Sequence, residues 1–431
     1  MIGINRLTGN LENGMSYYLY SSEGENKLRV ILLNKGGVNY EKDDENGITH
    51  LLEHMCLAYG KYNEKDWFHT PVGIINGEEY ICTGYTDFDR TVLKIYTRDE
   101  KNPIEKSLYL VNKIISGEII KDEVFQEVKK LVIKECEDFS IRNELQKKII
   151  EFITDGKKSI LPMGKDSIIK NISLDDIIKV HRKNFIYNKL SILIIGNIDI
   201  FKVENILINN FNSSKSKENF IEYRKKDVIG YKENKELLLE DIRSKNNVLK
   251  AYYRFQSNDS EIRGRLIRYF FDRILEQYIL TKYKEINNSI SNVICTDRRN
   301  IFGSDYYIIV CKGIKEREWK KKYLTIIRGI LKQGINKEDF MKEKETLKSI
   351  LNILVNEEVD AEDIAKEYIH NFFNKEAILL IKDDYMIISK LINEISIDDL
   401  NNCMMSILDS KSRMVFIRGA YNDIGISKVK K

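Results

Sequence analysis

The chain has 431 residues, 42% of them hydrophobic and 32% charged, with only three prolines; this is ample for more than one buried core and too charged for a membrane-embedded chain. Lys and Arg number 70 against 66 Asp and Glu, a formal net charge of +4, which is too small and too evenly spread to imply nucleic acid. No apolar run is long enough to span a bilayer.

In chain order, the first strong element is an apolar strand over 28–33. Asn46-Gly47-Ile48-Thr49 then leads into a helix that carries His50-Leu51-Leu52-Glu53-His54. Positions i, i+3 and i+4 share one helix face, so both histidines can point at one metal with Glu53 beside it, while Leu51, Leu52 and Met55 supply the apolar face. This is the inverted H-x-x-E-H pattern of zinc peptidases, in which two imidazoles hold zinc and the glutamate acts as general base toward a water. A strand pair follows over 83–96.

A helix over 125–138 comes next. Val128, Leu131, Val132 and Glu135 fall at i, i+3, i+4 and i+7, which places Glu135 at the inner end of an apolar stripe. A carboxylate there needs a partner: zinc is one, a buried salt bridge or a helix-end position another. Glu137 and Asp138 read as solvated. Cys56 and Cys136 lie close enough to these positions to invite a thiolate reading. The six cysteines, however, show no C-x-x-C spacing and read as free thiols in a reducing compartment. The start, Met1 to Arg6, lacks the regions of a secretory leader, so the expected location is cytoplasmic.

Gly47-Ile48-Thr49-His50-Leu51-Leu52-Glu53-His54-Met55, followed by the Glu135 helix, resembles the pitrilysin-type zinc peptidases, in particular the half-length branch that includes mitochondrial processing peptidase and bacterial processing peptidases. Thr83-Gly84-Tyr85-Thr86 resembles that family's Asn-Ala-x-Thr strand, with Thr83 where asparagine is usual, and the 181–199 segment is similar to the strand that closes its first domain. The likeness is dense in the first half and loose in the second. It implies one zinc per chain, held by His50, His54 and Glu135, with Glu53 catalytic and Gly84, Tyr85 and Thr86 contacting a peptide that adds to a sheet edge.

An internal repeat bears on architecture. Ser173-Leu174-Asp175-Asp176 precedes an apolar strand ending at Gly196, and Ser396-Ile397-Asp398-Asp399 precedes another ending at Gly419. Both landmarks are offset by 223 residues, 396 − 173 and 419 − 196, as duplicated domains would be. The same offset carries the metal helix onto Arg273-Ile274-Leu275-Glu276-Gln277, without histidines, and Glu135 onto Glu358. The expected fold is α+β: two duplicated domains, each a mainly antiparallel sheet packed with helices. By the resemblance, they face one another across a peptide-binding chamber. Residues 1–212 form the zinc-bearing domain, 213–224 the linker and 225–431 the domain without ligands.

The expected activity is that of a zinc metalloendopeptidase on peptides or short unfolded segments, with maturation of a ribosomally made peptide precursor as one task that fits. A non-catalytic assembly subunit of the same fold is the alternative. The family's second domain usually carries an arginine and a tyrosine that hold the substrate carbonyl. In the 280–291 stretch Lys282 or Lys284 is the substitute for the arginine, and Tyr278 and Tyr283 stand at other spacings. That points to a homodimer or a heterodimer with a second chain of the family.

Overall fold

The computed structural model describes residues 5–22, 28–58, 72–75, 78–97, 103–212, 230–241, 243–257, 259–285, 290–314, 319–357 and 359–419. The expected linker over 213–224 and the Glu358 position lie outside them. The chain forms two compact units, one of 1–147, 159–224 and 358–374, the other of 148–158, 225–357 and 375–431.

The first unit is built from β1 (Arg6–Asn10), β2 (Ser16–Ser21), β3 (Arg29–Asn34), α1 (Ile48–Leu57), β4 (Val72–Ile75), β5 (Glu78–Thr86), β6 (Thr91–Thr97), α2 (Pro103–Ser116), α3 (Asp122–Asp138), α4 (Ser140–Ile153), α5 (Asp166–Ile169), α6 (Leu174–Asn184), β7 (Leu190–Gly196) and α7 (Ile200–Phe211). Its sheet runs β1-β2-β7-β3-β6-β5-β4, antiparallel except for the parallel β2/β7 pair. The central strands β2, β3 and β7 are apolar almost throughout and buried on both faces, which is why their sequences run without alternation. One face packs the helices that share the core of Leu19, Val30, Leu32, Leu51, Leu52, Val128, Val132 and Ile194.

The second unit contributes β8 (Lys235–Asp241), β9 (Val248–Arg254), α8 (Ile262–Glu285), β10 (Asn292–Ile301), β11 (Ser304–Lys312), α9 (Trp319–Gln333) and α10 (Lys337–Leu354). α11 (Ala361–Asn374) follows in the chain, then α12 (Ile381–Glu394), α13 (Ile397–Leu408) and β12 (Ser412–Gly419). Its sheet order is β10-β11-β9-β12-β8, with β12/β8 the parallel pair. Read from the other end, β8-β12-β9-β11-β10 matches β2-β7-β3-β6-β5 strand for strand, so the duplication is one of topology as well as of spacing. The paired motifs behave alike: Ser173 with Asp176 opens α6, and Ser396 with Asp399 opens α13, each as a reciprocal capping box.

α11 belongs to the first unit although its neighbours in the chain build the second. Tyr18 donates to Asn371 at 2.9 Å, Arg90 to Asn374 at 2.8 Å, and Tyr96 to Glu362 at 2.7 Å. The end of α4 is likewise part of the second unit. There the Ile153 carbonyl accepts from Tyr231 at 2.9 Å, and Asp155 pairs with Arg413, whose guanidinium lies over the Tyr231 ring.

Candidate metal centre

α1 starts at Gly47, whose φ of +107° places it in the left-handed region that glycine tolerates. The loop of Gly164 comes so close that a Cβ on Gly164 would lie 2.4 Å from the Gly47 Cα. Leu51, Leu52, Met55 and Cys56 are buried under the sheet, as the helix phase requires, and His50, Glu53 and His54 emerge on the side toward β5 and α3. On α3 the buried stripe is Phe125, Val128, Val132 and Cys136, which leaves Glu135 at its margin, half-buried and facing the histidines.

The His50 and His54 Nε2 atoms are 3.1 Å apart, and Glu135 Oε2 lies 3.4 Å from His54 and 3.8 Å from His50. Donors bound tetrahedrally at about 2.05 Å stand about 3.3 Å apart, so the three atoms fit one zinc with a position left open. Among the described residues this is the group of His, Cys, Asp and Glu side chains whose donor atoms converge in this way. The His50 Nδ1 atom lies 3.1 Å from the Met163 carbonyl. That carbonyl fixes the tautomer: Nδ1 carries the proton and Nε2 keeps the lone pair a metal needs.

Burial, and then the neighbouring His54, lower the His50 pKa to about 4, so this imidazole is neutral at ordinary pH. Burial alone would lower His54 too, but the hydrogen bond and charge of Glu135 together with Glu53 raise it above the usual value. Glu135 itself is pushed up by burial yet held below the usual carboxylate range by His54 and His50. Below the raised His54 pKa, binding of zinc therefore displaces a proton held between His54 and Glu135, and zinc affinity is expected to rise with pH through the His54 titration. Calorimetric titration in buffers of different ionisation enthalpy measures the release; a release that does not grow as the pH is lowered contradicts it.

Glu53 is only 4% exposed, and burial raises its pKa to about 7, with His54 and Thr86 opposing and Glu135 adding to the rise. Its Oε2 is buried without a hydrogen-bond partner. A carboxylate oxygen so placed beside three converging donors is suited to accept the proton of a water at the open coordination position, and this supports zinc as the group that the site holds. A Cβ on Gly84 would come within 3.2 Å of Glu53 Oε1, so the bare backbone of β5 runs directly against the glutamate.

Cys136 donates to the same Met163 carbonyl at 3.3 Å, and burial pushes its thiol up to about 12; burial also raises Cys56 well above the usual thiol value. Both thiols are held protonated by burial, and neither sulfur is among the donor atoms that converge with the histidines, which argues against the thiolate alternative. Glu137 is exposed and 3.4 Å from Lys170.

Gly84 and Thr86 are half-buried and Tyr85 is exposed. The sequence makes the whole Thr83 to Tyr96 segment the candidate edge for peptide binding, but β6 lies between β3 and β5, so its Thr91 to Tyr96 part is interior. β4 pairs with β5 only from Ile81 back to Glu78, which leaves Cys82–Thr86 paired on the β6 side alone among the described residues.

At the 223-residue offset, His50 and Glu53 of α1 correspond to Arg273 and Glu276 on α8 of the second unit. Arg273 pairs with Glu343 of α10, and Glu276 accepts from the Cys295 backbone at 2.6 Å. A guanidinium-carboxylate pair thus joins α8 to α10. Tyr283 is fully buried in that unit's core, and Lys282 pairs with Glu285 at 2.9 Å. Sequence reasoning missed Glu41 and the Met163 carbonyl. Neither carries a motif: Glu41 accepts from the Gly47 and Thr49 backbone just downstream of it, and Met163 meets His50 from 113 residues away.

Residues 18–161 match the profile of Insulinase (Peptidase family M16). The chain is 23% identical over 447 residues to the probable zinc protease PqqL of Haemophilus influenzae, covering 95% of this chain and 46% of that one. It is 24% identical over 200 residues to the chloroplastic stromal processing peptidase of Arabidopsis thaliana, covering 44% of this chain and 15% of that one. The first half of the periplasmic protease PqqL from Escherichia coli superposes with a TM-score of 0.78 at 14% identity, covering 99% of this chain and 94% of that structure. The chain spans about half or less of the length of these curated relatives. The cytoplasmic expectation is overturned by them, since they include a periplasmic and a chloroplast-stromal protease. Free thiols and the first six residues are poor guides here, because compartment is set by export and not by the composition of a folded lobe. Among the described residues no helix is long and apolar enough to cross a membrane.

Proposed function

We propose that the chain, whose residues 18–161 match peptidase family M16, is a zinc-dependent endopeptidase of the pitrilysin type whose reaction centre is α1 and α3 of the first unit. The observation that carries this reading is the convergence of three donor atoms within 3.1–3.8 Å beside the buried, unpartnered Oε2 of Glu53.

His50, His54 and Glu135 would hold the ion. Zinc bound there supplies a Lewis acid for the scissile carbonyl and acidifies a water. Glu53 takes the proton from that water as it attacks the carbonyl carbon, and returns it to the amine nitrogen as the C–N bond breaks. The outer side of Cys82–Thr86, unpaired among the described residues, receives the peptide backbone as an added strand, which recognises main chain in preference to side chains. Tyr85, exposed at this edge, would contact a substrate side chain.

Substrates of this class are extended peptides or unfolded segments, among them ribosomally made precursors. The chain acts with a second chain of the same fold. Tyr283 is committed to the core and Lys282 to Glu285, so neither is offered to a substrate carbonyl. Losing one such donor typically costs about 10²–10³-fold in rate. The purified chain is therefore expected to cleave a quenched-fluorescent peptide slowly and to gain roughly that factor when a family partner is added. Fast cleavage by the chain alone, with its mass in solution measured under the same conditions, removes the need for a partner and turns attention to Arg298, exposed on β10. Bound zinc without cleavage under any pairing identifies the assembly-subunit alternative.

A further inference from the structure

α1 lacks the usual means of securing its first turn. The first turn of a helix leaves backbone N–H groups without intrahelical acceptors, and a Ser, Thr, Asp or Asn at the cap position normally supplies one. Here the cap is Gly47, which has no side chain, and no side-chain cap bond is made from it. His50, a metal ligand, stands only three residues further on.

Glu41 fills this role from outside the helix. Its Oε1 accepts from the Thr49 backbone N–H at 2.8 Å, and its Oε2 accepts from the Gly47 N–H at 3.1 Å and from Asn46 Nδ2 at 3.1 Å. Asn46 also donates to the Leu161 carbonyl at 2.9 Å, which joins this anchor to the loop whose Met163 carbonyl lies on His50. The carboxyl group is 6% exposed; burial raises its pKa to about 7 against the Thr49 and Gly47 N–H groups, which favour the charged form, and when ionised it places negative charge at the helix N-terminus, where the dipole favours it. The Thr49 and Gly47 backbone N–H groups are fixed donors, one to each oxygen, so both oxygens must be acceptors. An amide in its place turns an NH2 group against an N–H.

We propose that Glu41 is a positioning residue for the metal helix: it fixes the first turn of α1, and through it the direction from which His50 meets the ion. The proposal rests on the zinc reading of the site. It concerns how firmly the ligand is held, and it assigns Glu41 no contact with substrate or metal.

The test is Glu41→Gln, which keeps the size of the side chain. Zinc affinity is measured by competition with a chelating dye, ligand geometry by the visible spectrum of the cobalt-substituted protein, and the anchor itself by amide hydrogen exchange over 46–52. Removing an outer partner of a metal ligand typically costs about 10–100-fold in metal affinity, and that is the loss expected, together with an altered cobalt spectrum. The Gly47 and Thr49 amides should exchange faster, while amides of α13 in the other unit keep their rates. A variant that is merely less stable, but binds zinc as tightly as the parent with the same cobalt spectrum, overturns the proposal. If the parent chain binds no zinc, it is the metal reading that fails, and exchange then decides on Glu41 alone: faster exchange at Gly47 and Thr49 supports the anchor, unchanged exchange refutes it.

Discussion

Glu53→Gln is expected to leave zinc bound and to lower peptide turnover by about 10²–10⁴-fold, the usual contribution of a positioned general base. The amide preserves the shape that packs against Gly84 and keeps the α1 helix intact, but at neutral pH it cannot accept the proton that the buried Oε2 is placed to receive. KM should change little, because Glu53 acts on the water and not on the peptide. The measurement pairs zinc content by atomic absorption with turnover of a fluorogenic peptide. Near-normal turnover would show that another group is the base; loss of zinc would make Glu53 a ligand.

The ligand substitutions should produce the opposite pattern. His54→Ala or Glu135→Ala takes away one of three donors, and zinc affinity should fall by more than the roughly 10–100-fold that accompanies loss of an outer partner. Turnover would vanish with the metal and return in part at high zinc concentration. Glu137→Ala is the control: two residues along α3, exposed and beside Lys170, it should bind zinc like the parent. The reverse ranking of Glu135 and Glu137 would place the wrong acid in the site. Zinc saturation should also raise the thermal midpoint of the first unit in the parent, by mass action on the folded state, and not in these variants.

The metal helix was legible from five residues because helix phase is a local property. Once 48–57 is helical, His50, Glu53 and His54 must share a side, and Leu51, Leu52 and Met55 must share another. Glu135 followed from the same periodicity on α3, although phase alone left its partner open between zinc and a salt bridge. The duplication was legible too, since capping boxes and apolar strands recur at a fixed offset and the two sheets have one order.

Tertiary structure alone decided the rest, because those features join residues far apart in the chain. Met163 reaches His50 across 113 positions, and Glu362 on α11 reaches Tyr96 across 266. No periodicity encodes such pairs. The interior position of β6 depended on which strands became its neighbours, which an alternating pattern does not specify. Likewise Arg273 could be seen to replace a histidine, but that its guanidinium meets Glu343 of α10 required the packing of two helices. Local chemistry placed the ligands on their helices; long-range packing brought the helices together and oriented the imidazoles for a metal.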